Sequence, residues 1–198
     1  MISTSGNTLL PHASIKRLRE ELLPITTVLT PNVPEALYLL KDAGIEHEKP
    51  KSISDMAILA KAIQSLGPKW VLVKGGHSPF KKDGTFATEE EDKYQVVDVL
   101  YGGGQVYQTV SDYQKSNNTH GTGCSLACTS LLVHWMLLTN MLVAAIASNL
   151  AKGLSVPAAV KAGCRFIEAG IRTGKDVGKG NNKPINHFHS SYTLPFAP

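Results

Sequence analysis

The chain has 198 residues and a formal net charge of +4; 42% of its residues are hydrophobic and 18% are charged. This length and composition suit one globular domain and exclude a disordered tail, a collagen or a coiled coil. No dense Lys/Arg block is present, so a nucleic-acid partner is not expected. Three cysteines without a CxxC pair, and an N-terminus without an apolar signal core, predict a cytoplasmic protein.

The first third of the chain predicts alternating helices and strands. A short amphipathic helix is predicted over 14–23 and a buried, β-branched strand over 25–29. Asn32 then caps a helix over 32–43, with a proline in its first turn and a glycine just past its end. Ser54 is predicted to cap the next helix, which ends at a Gly-Pro pair.

The rest of the chain continues the alternation. Strands are predicted over 70–74, 94–101 and 105–110, and three glycines join the last two strands into a hairpin. A long apolar helix follows Gly121, and a last helix covers 156–171. The pattern predicts an α/β architecture with a largely parallel sheet and one antiparallel excursion.

Residues 118–124 (NTHGTGC) open the long apolar helix and carry the strongest local signal. Gly121 and Gly123 let backbone N–H groups turn toward a ligand, and the helix N-terminus adds partial positive charge, which suits a phosphate. The same field would lower the pKa of the Cys124 thiol and supply a thiolate base or nucleophile. A glycine-rich turn with an ordinary half-buried cysteine fits these residues equally well.

Two further polar motifs follow predicted strands. Asn32 and Glu35 offer an amide and a carboxylate suited to Mg²⁺ and phosphate oxygens, although the same spacing is a helix capping box, the favoured interpretation. Lys74, followed by Gly75 and Gly76, could reach a phosphate as a mobile point charge. A strand that simply ends in a turn is as good an interpretation of this second motif.

One apolar stretch has the length of a membrane span. Residues 124–151 contain no Asp, Glu, Lys or Arg, and about 20 such residues could cross a bilayer. His134, Thr139 and Asn140 interrupt the apolar run. A membrane anchor is therefore the outlying interpretation of this stretch.

The motifs, taken in order, resemble the hydroxymethylpyrimidine phosphate kinase family of thiamine biosynthesis, in the ribokinase-like superfamily. The matching segments are TPNVPEA (30–36), VLVKGGH (71–77), NTHGTGC (118–124) and PINHFH (184–189), with ISTSG (2–6) similar to a segment after a central strand. The resemblance implies a three-layer α/β fold with a largely parallel sheet and a hairpin excursion. A hydroxyethylthiazole kinase can also carry GTGC but fits the other motifs less well.

The resemblance also implies a reaction, in which MgATP phosphorylates 4-amino-5-hydroxymethyl-2-methylpyrimidine and its monophosphate. Cys124 would be the base that takes the proton from the attacking oxygen. Backbone amides of Gly121, Thr122 and Gly123 would hold the transferring phosphoryl group. Lys74, Asn118 and Thr119 would contact ATP. Asn32 and Glu35 would organise Mg²⁺ and its waters.

Compared with the family that it resembles, the sequence is expected to differ in two places. Residues 1–198 are expected to form only the C-terminal, nucleotide-binding and catalytic half of the domain, so that the fold is N-terminally truncated. Residues 128–143 are expected to be an apolar insertion into the helix that begins at the anion site. The alternatives are an inactive remnant that binds only nucleotide or a partner subunit, and a pyridoxine or pyridoxal kinase. A small-molecule substrate and a homo-oligomer are expected, without a membrane.

Overall fold

The computed structural model describes residues 12–76, 79–113, 132–174, 186 and 189. The chain divides into two compact units, 1–113 and 114–198. The elements of the first unit are α1 (His12–Arg17), a π turn (Leu18–Leu22), a 3₁₀ turn (Leu23–Ile25), β1 (Val28–Leu29), α2 (Val33–Asp42), α3 (Ile53–Gln64), β2 (Trp70–Val73), a 3₁₀ turn (Glu90–Asp92), β3 (Gln95–Gly102) and β4 (Gln105–Asp112). Those of the second are α4 (Leu132–Ala151) and α5 (Val156–Arg172).

The described strands form one four-stranded sheet in the order β1-β2-β3-β4. β1 and β2 are parallel, with Val28 opposite Trp70. β3 is antiparallel to β2 and to β4. The predicted hairpin is confirmed, and its turn places Gly103 and Gly104 at φ values of 58° and 77°, which favour glycine.

Local signals define α2 and α3. Asn32 caps α2 as predicted, and Gly44 ends it at a φ of 73°. The cap of α3 is Ser52, and the prediction of Ser54 is wrong. Ser52 has an extended backbone and its hydroxyl accepts the Asp55 N–H at 3.1 Å, whereas residue 54 lies inside the first helical turn.

The segment before β1 departs from its prediction. The helix predicted over 14–23 is divided into α1, the π turn and the first residue of a 3₁₀ turn. The strand predicted over 25–29 is wrong in its first half, because Ile25 lies in the 3₁₀ turn and is 75% exposed. Pairing with the β2 side begins at Thr26, whose carbonyl oxygen accepts the Lys69 N–H at 3.1 Å.

The core of the first unit lies between the sheet and helices α2 and α3. Leu39 and Leu40 of α2, with Leu59 and Ile63 of α3, are fully buried. Burial of such side chains is the main source of stability in a domain of this size. The other fully buried hydrophobic residues of this core are Ile15, Ala36, Met56, Ala60, Val71, Val73, Phe80, Val97 and Val99.

In the second unit, α4 packs against α5. Gly163 permits this close approach, since a Cβ at that position would lie 2.9 Å from Cγ1 of Ile146. Residues 132–143 of the expected insertion are continuous with the rest of α4, while 128–131 lie outside the described residues. That this segment is an insertion stays a prediction. Among the described helices, none is both long and apolar enough to cross a bilayer.

Candidate active site

The ends of two parallel strands bring two of the predicted motifs side by side. Asn32 follows β1 and Lys74 follows β2, and the two residues form a parallel bridge beyond the ends of their strands. The Lys74 N–H donates to the carbonyl oxygen of Pro31 at 2.9 Å. Because carboxyl ends of parallel strands are the usual place for ligands in open α/β sheets, this edge is the candidate site.

Asn32 and Glu35 form a complete capping box at the start of α2. The Glu35 N–H donates to Asn32 Oδ1 at 2.8 Å, and the Asn32 N–H donates to Glu35 Oε2 at 3.0 Å. Both residues are buried, with exposed fractions of 4% and 9%. The capping interpretation is therefore confirmed, and the box fixes a carboxylate and an amide at the end of β1.

Gly75 has a structural role in the sheet. Its N–H donates to Oδ1 of Asp98 on β3 at 2.8 Å, and a Cβ would lie 2.0 Å from the carbonyl oxygen of Val97. The glycine is therefore required by the close approach of β3, and its N–H already has a protein acceptor. Among the described residues of this strand end, the Lys74 ammonium is a group suited to bind an anion.

Sequence reasoning did not single out Asp98. The only signal was a carboxylate inside an otherwise apolar strand, in the run Val96-Val97-Asp98-Val99-Leu100. Its hydrogen-bond partner is 23 residues away along the chain. A pattern of apolar residues gives no information about such a partner.

The third motif lies outside the described residues, so the roles inferred for it stay predictions. They are those of Asn118, Thr119, Gly121, Thr122, Gly123 and Cys124. Within the described part of the chain, no three His, Cys, Asp or Glu side chains gather as a metal site would require. Oxygen donors such as those of Asn32 and Glu35 suit Mg²⁺, which usually keeps several waters and binds together with substrate phosphates.

The fold is similar to that of known small-molecule kinases. The pyridoxal kinase from Staphylococcus aureus matches with a TM-score of 0.69 at 25% identity, over 96% of this chain and 57% of that one. Its complex with ADP matches with a TM-score of 0.66 at 26% identity, over 94% of this chain and 55% of that one. The predicted fold class is confirmed: this is a phosphotransferase fold of the ribokinase-like class.

The family model for phosphomethylpyrimidine kinase matches residues 1–136, a range that holds both strand ends and residues 118–124. The chain belongs to the phosphomethylpyrimidine kinase family. The thiamine biosynthetic bifunctional enzyme of Arabidopsis thaliana is 36% identical over 95% of the chain, and the hydroxymethylpyrimidine/phosphomethylpyrimidine kinase of Rhizobium meliloti is 34% identical over 96%. The chain spans 30% of the first and 59% of the second.

Proposed function

We propose that this chain carries the nucleotide-binding and phosphoryl-transfer part of a kinase for 4-amino-5-hydroxymethyl-2-methylpyrimidine or its monophosphate, with ATP as donor. The observation that carries the proposal is the bridge between Asn32 and Lys74, which joins two strand-end motifs into one polar edge. Membership of the phosphomethylpyrimidine kinase family supports the substrate class.

In this proposal Lys74 contacts the phosphates of ATP. Its backbone is held between β1 and β3 by its own N–H on Pro31 and by the next N–H on Asp98. A lysine fixed at its backbone and mobile at its ammonium can follow charge as it moves from the γ-phosphate to the leaving ADP. The Staphylococcus aureus pyridoxal kinase has a similar fold and forms a complex with ADP, which supports a nucleotide-binding role for this chain.

Asn32 and Glu35 organise Mg²⁺ through its waters. The capping box uses Asn32 Oδ1 and Glu35 Oε2 as hydrogen-bond acceptors. An ionised carboxylate offers about four acceptor positions on its two oxygens, so a capping role and a contact with metal-bound water are compatible. The bound ion would neutralise charge on the β- and γ-phosphates.

Cys124 is proposed as the general base. For the alcohol, the hydroxymethyl oxygen attacks the γ-phosphorus of ATP and its proton passes to the Cys124 thiolate, while the bond from the γ-phosphorus to the bridging oxygen breaks and ADP leaves. For the monophosphate, a phosphate oxygen of the substrate is the attacking atom, and the same bond to ADP breaks. Backbone N–H groups of Gly121, Thr122 and Gly123 would stabilise the transferring phosphoryl group. Asn118 and Thr119 are proposed to contact the nucleotide. A homo-oligomer stays a prediction.

The test is ADP release by the purified 198-residue chain, supplied with MgATP and the hydroxymethylpyrimidine monophosphate or the alcohol. We expect turnover that is lost in Cys124→Ala. Cys164→Ala is the matched control, because Cys164 is a buried cysteine on α5. Folded protein without turnover would contradict the proposed activity of this chain. Equal turnover in Cys124→Ala would contradict the general-base role.

A second candidate function is phosphorylation of pyridoxal or pyridoxine. The similarity of fold to the Staphylococcus aureus pyridoxal kinase favours it. The ratio of kcat/KM for the pyrimidine to kcat/KM for pyridoxine separates the candidates. A higher kcat/KM for pyridoxine would overturn the proposed substrate.

A further inference from the structure

We infer that Asp98 is a positioning residue for nucleotide binding, acting through the backbone at Lys74; the inference rests on the proposed role of Lys74. The paired register of β2 and β3 ends at Val73 opposite Val99. Two residues further on, the Gly75 N–H donates to the Asp98 side chain at 2.8 Å.

Two hydrogen bonds on opposite sides hold the peptide units around Lys74. On the β1 side, the Lys74 N–H donates to Pro31 at 2.9 Å. On the β3 side, the next N–H donates to Asp98. The Lys74 Cα lies between these two anchors, so the direction in which its side chain leaves the sheet depends on both.

The β3 anchor satisfies a backbone group beyond the paired part of the sheet. The Gly75 N–H lies past the last residue of β2 that pairs with β3, and Oδ1 of Asp98 accepts its hydrogen bond at 2.8 Å. Without it the chain beyond Val73 would have to give up this position or leave an N–H unsatisfied beside the buried Val97. Asp98 is half-buried on β3 and is itself paired with Thr109 in the hairpin, so the anchor sits on a rigid element.

The position of the acceptor atom matters in this inference, and its charge matters less. Asp98→Asn keeps an acceptor oxygen at the same distance from the backbone and is expected to keep the dissociation constant for MgATP within about twofold. Asp98→Ala removes the acceptor and is expected to raise that constant roughly three- to tenfold. Asp98→Glu keeps the charge but moves the acceptor by a methylene, and we expect it to weaken binding as Asp98→Ala does.

The experiment is calorimetric titration of the 198-residue chain with MgATP, for these variants alone and combined with Lys74→Met. If Asp98 acts through Lys74, Asp98→Ala should have little further effect in the Lys74→Met background. Asp112→Ala on β4 is the control for loss of an aspartate from the hairpin and should bind like the wild type. Hydrogen exchange at the Gly75 amide should be slow in the wild type and Asp98→Asn, and fast in Asp98→Ala.

The outcomes separate this inference from the proposed function. Weak binding in Lys74→Met with wild-type binding in Asp98→Ala would overturn the role of Asp98 alone. Wild-type binding in Asp98→Glu with weak binding in Asp98→Asn would show that charge is the determinant, and would also overturn it. Wild-type affinity in Lys74→Met, or no binding by the wild-type chain, would overturn both proposals. If Asp98→Ala does not fold, the comparison of Asp98→Asn with Asp98→Glu decides.

Discussion

Gly75 and Val97 approach each other so closely that a Cβ on Gly75 would lie 2.0 Å from the carbonyl oxygen of Val97. Backbone lies on both sides of this contact, so neither partner can rotate away. Gly75→Ala should therefore push the strand end from β3 and lower the free energy of unfolding by about 3 kcal/mol. Chemical denaturation monitored through tryptophan fluorescence measures the change.

The neighbouring glycine provides the control for this prediction. Gly76 has nothing within 4 Å of its Cβ position, so Gly76→Ala should leave the stability of the fold nearly unchanged. Equal losses in the two variants would mean that the close approach to Val97 does not constrain Gly75.

Substitutions of the two capping-box residues are expected to have different effects on stability and on Mg²⁺ dependence. Asn32→Ala removes the oxygen that accepts the Glu35 N–H and should cost about 1 kcal/mol of stability. Glu35→Gln keeps an acceptor for the Asn32 N–H and should cost less, yet it should raise several-fold the Mg²⁺ concentration needed for nucleotide binding. An unchanged Mg²⁺ titration in Glu35→Gln would leave that residue with the capping role alone.

A partly buried ion pair joins the π turn to the end of α2. Nε of Arg19 lies 3.1 Å from Oδ2 of Asp42, and the Asp42 side chain is 3% exposed while that of Arg19 is 23% exposed. Arg19→Met would leave a buried carboxylate without this partner, and we expect a loss of about 2 kcal/mol, less than for a fully buried pair. Thermal unfolding measures it.

The exposed ion pair between Arg17 and Glu21 is the control. Arg17 and Glu21 pair at 3.0 Å with side chains that are 75% and 62% exposed. Arg17→Met should change stability far less than Arg19→Met, since water and salt screen such pairs. A larger loss in Arg17→Met would contradict the importance assigned to burial.

The Asp55 carboxyl is expected to contribute to the loss of stability of the first unit at acid pH. The hydrogen bond from the Lys51 N–H, and then that with the Ser52 side chain, lower the pKa of the Asp55 carboxyl below its ordinary value of 3.8. Its stabilising contribution is therefore complete above the pKa of the unfolded chain and is lost as the pH falls through the lower folded pKa. Asp55→Asn should make the free energy of unfolding fall less steeply below about pH 4. An unchanged slope would contradict this role.

The parts of the fold that local signals specify could be predicted from sequence. Asn32 and Gly44 mark the ends of α2 through side-chain capping and a positive φ, and both effects involve neighbours along the chain. The hairpin followed from glycines between two β-rich runs. The predicted cap of α3 is two residues too late because both Ser52 and Ser54 lie near the start of that helix, and only backbone conformation distinguishes them.

Features that depend on distant partners could not be predicted. The run from Ile25 to Leu29 is rich in β-branched residues from its first position, but only tertiary pairing with β2 decides where the strand begins. The need for a glycine after Lys74 comes from the close approach of Val97, which is 22 residues away along the chain. The place of Lys74 beside Asn32 follows from parallel pairing, which apolar patterning alone does not fix.

We propose that the carboxyl ends of β1 and β2 bind nucleotide phosphates through Lys74. The most direct test is the dissociation constant for MgATP of the wild-type chain, Lys74→Met and Lys69→Met. Lys69 is exposed and precedes β2 at the opposite edge of the sheet, so it controls for loss of one positive charge. We expect Lys74→Met to weaken binding about tenfold or more and Lys69→Met to bind like the wild type. Equal affinities for the wild type and Lys74→Met would contradict the account.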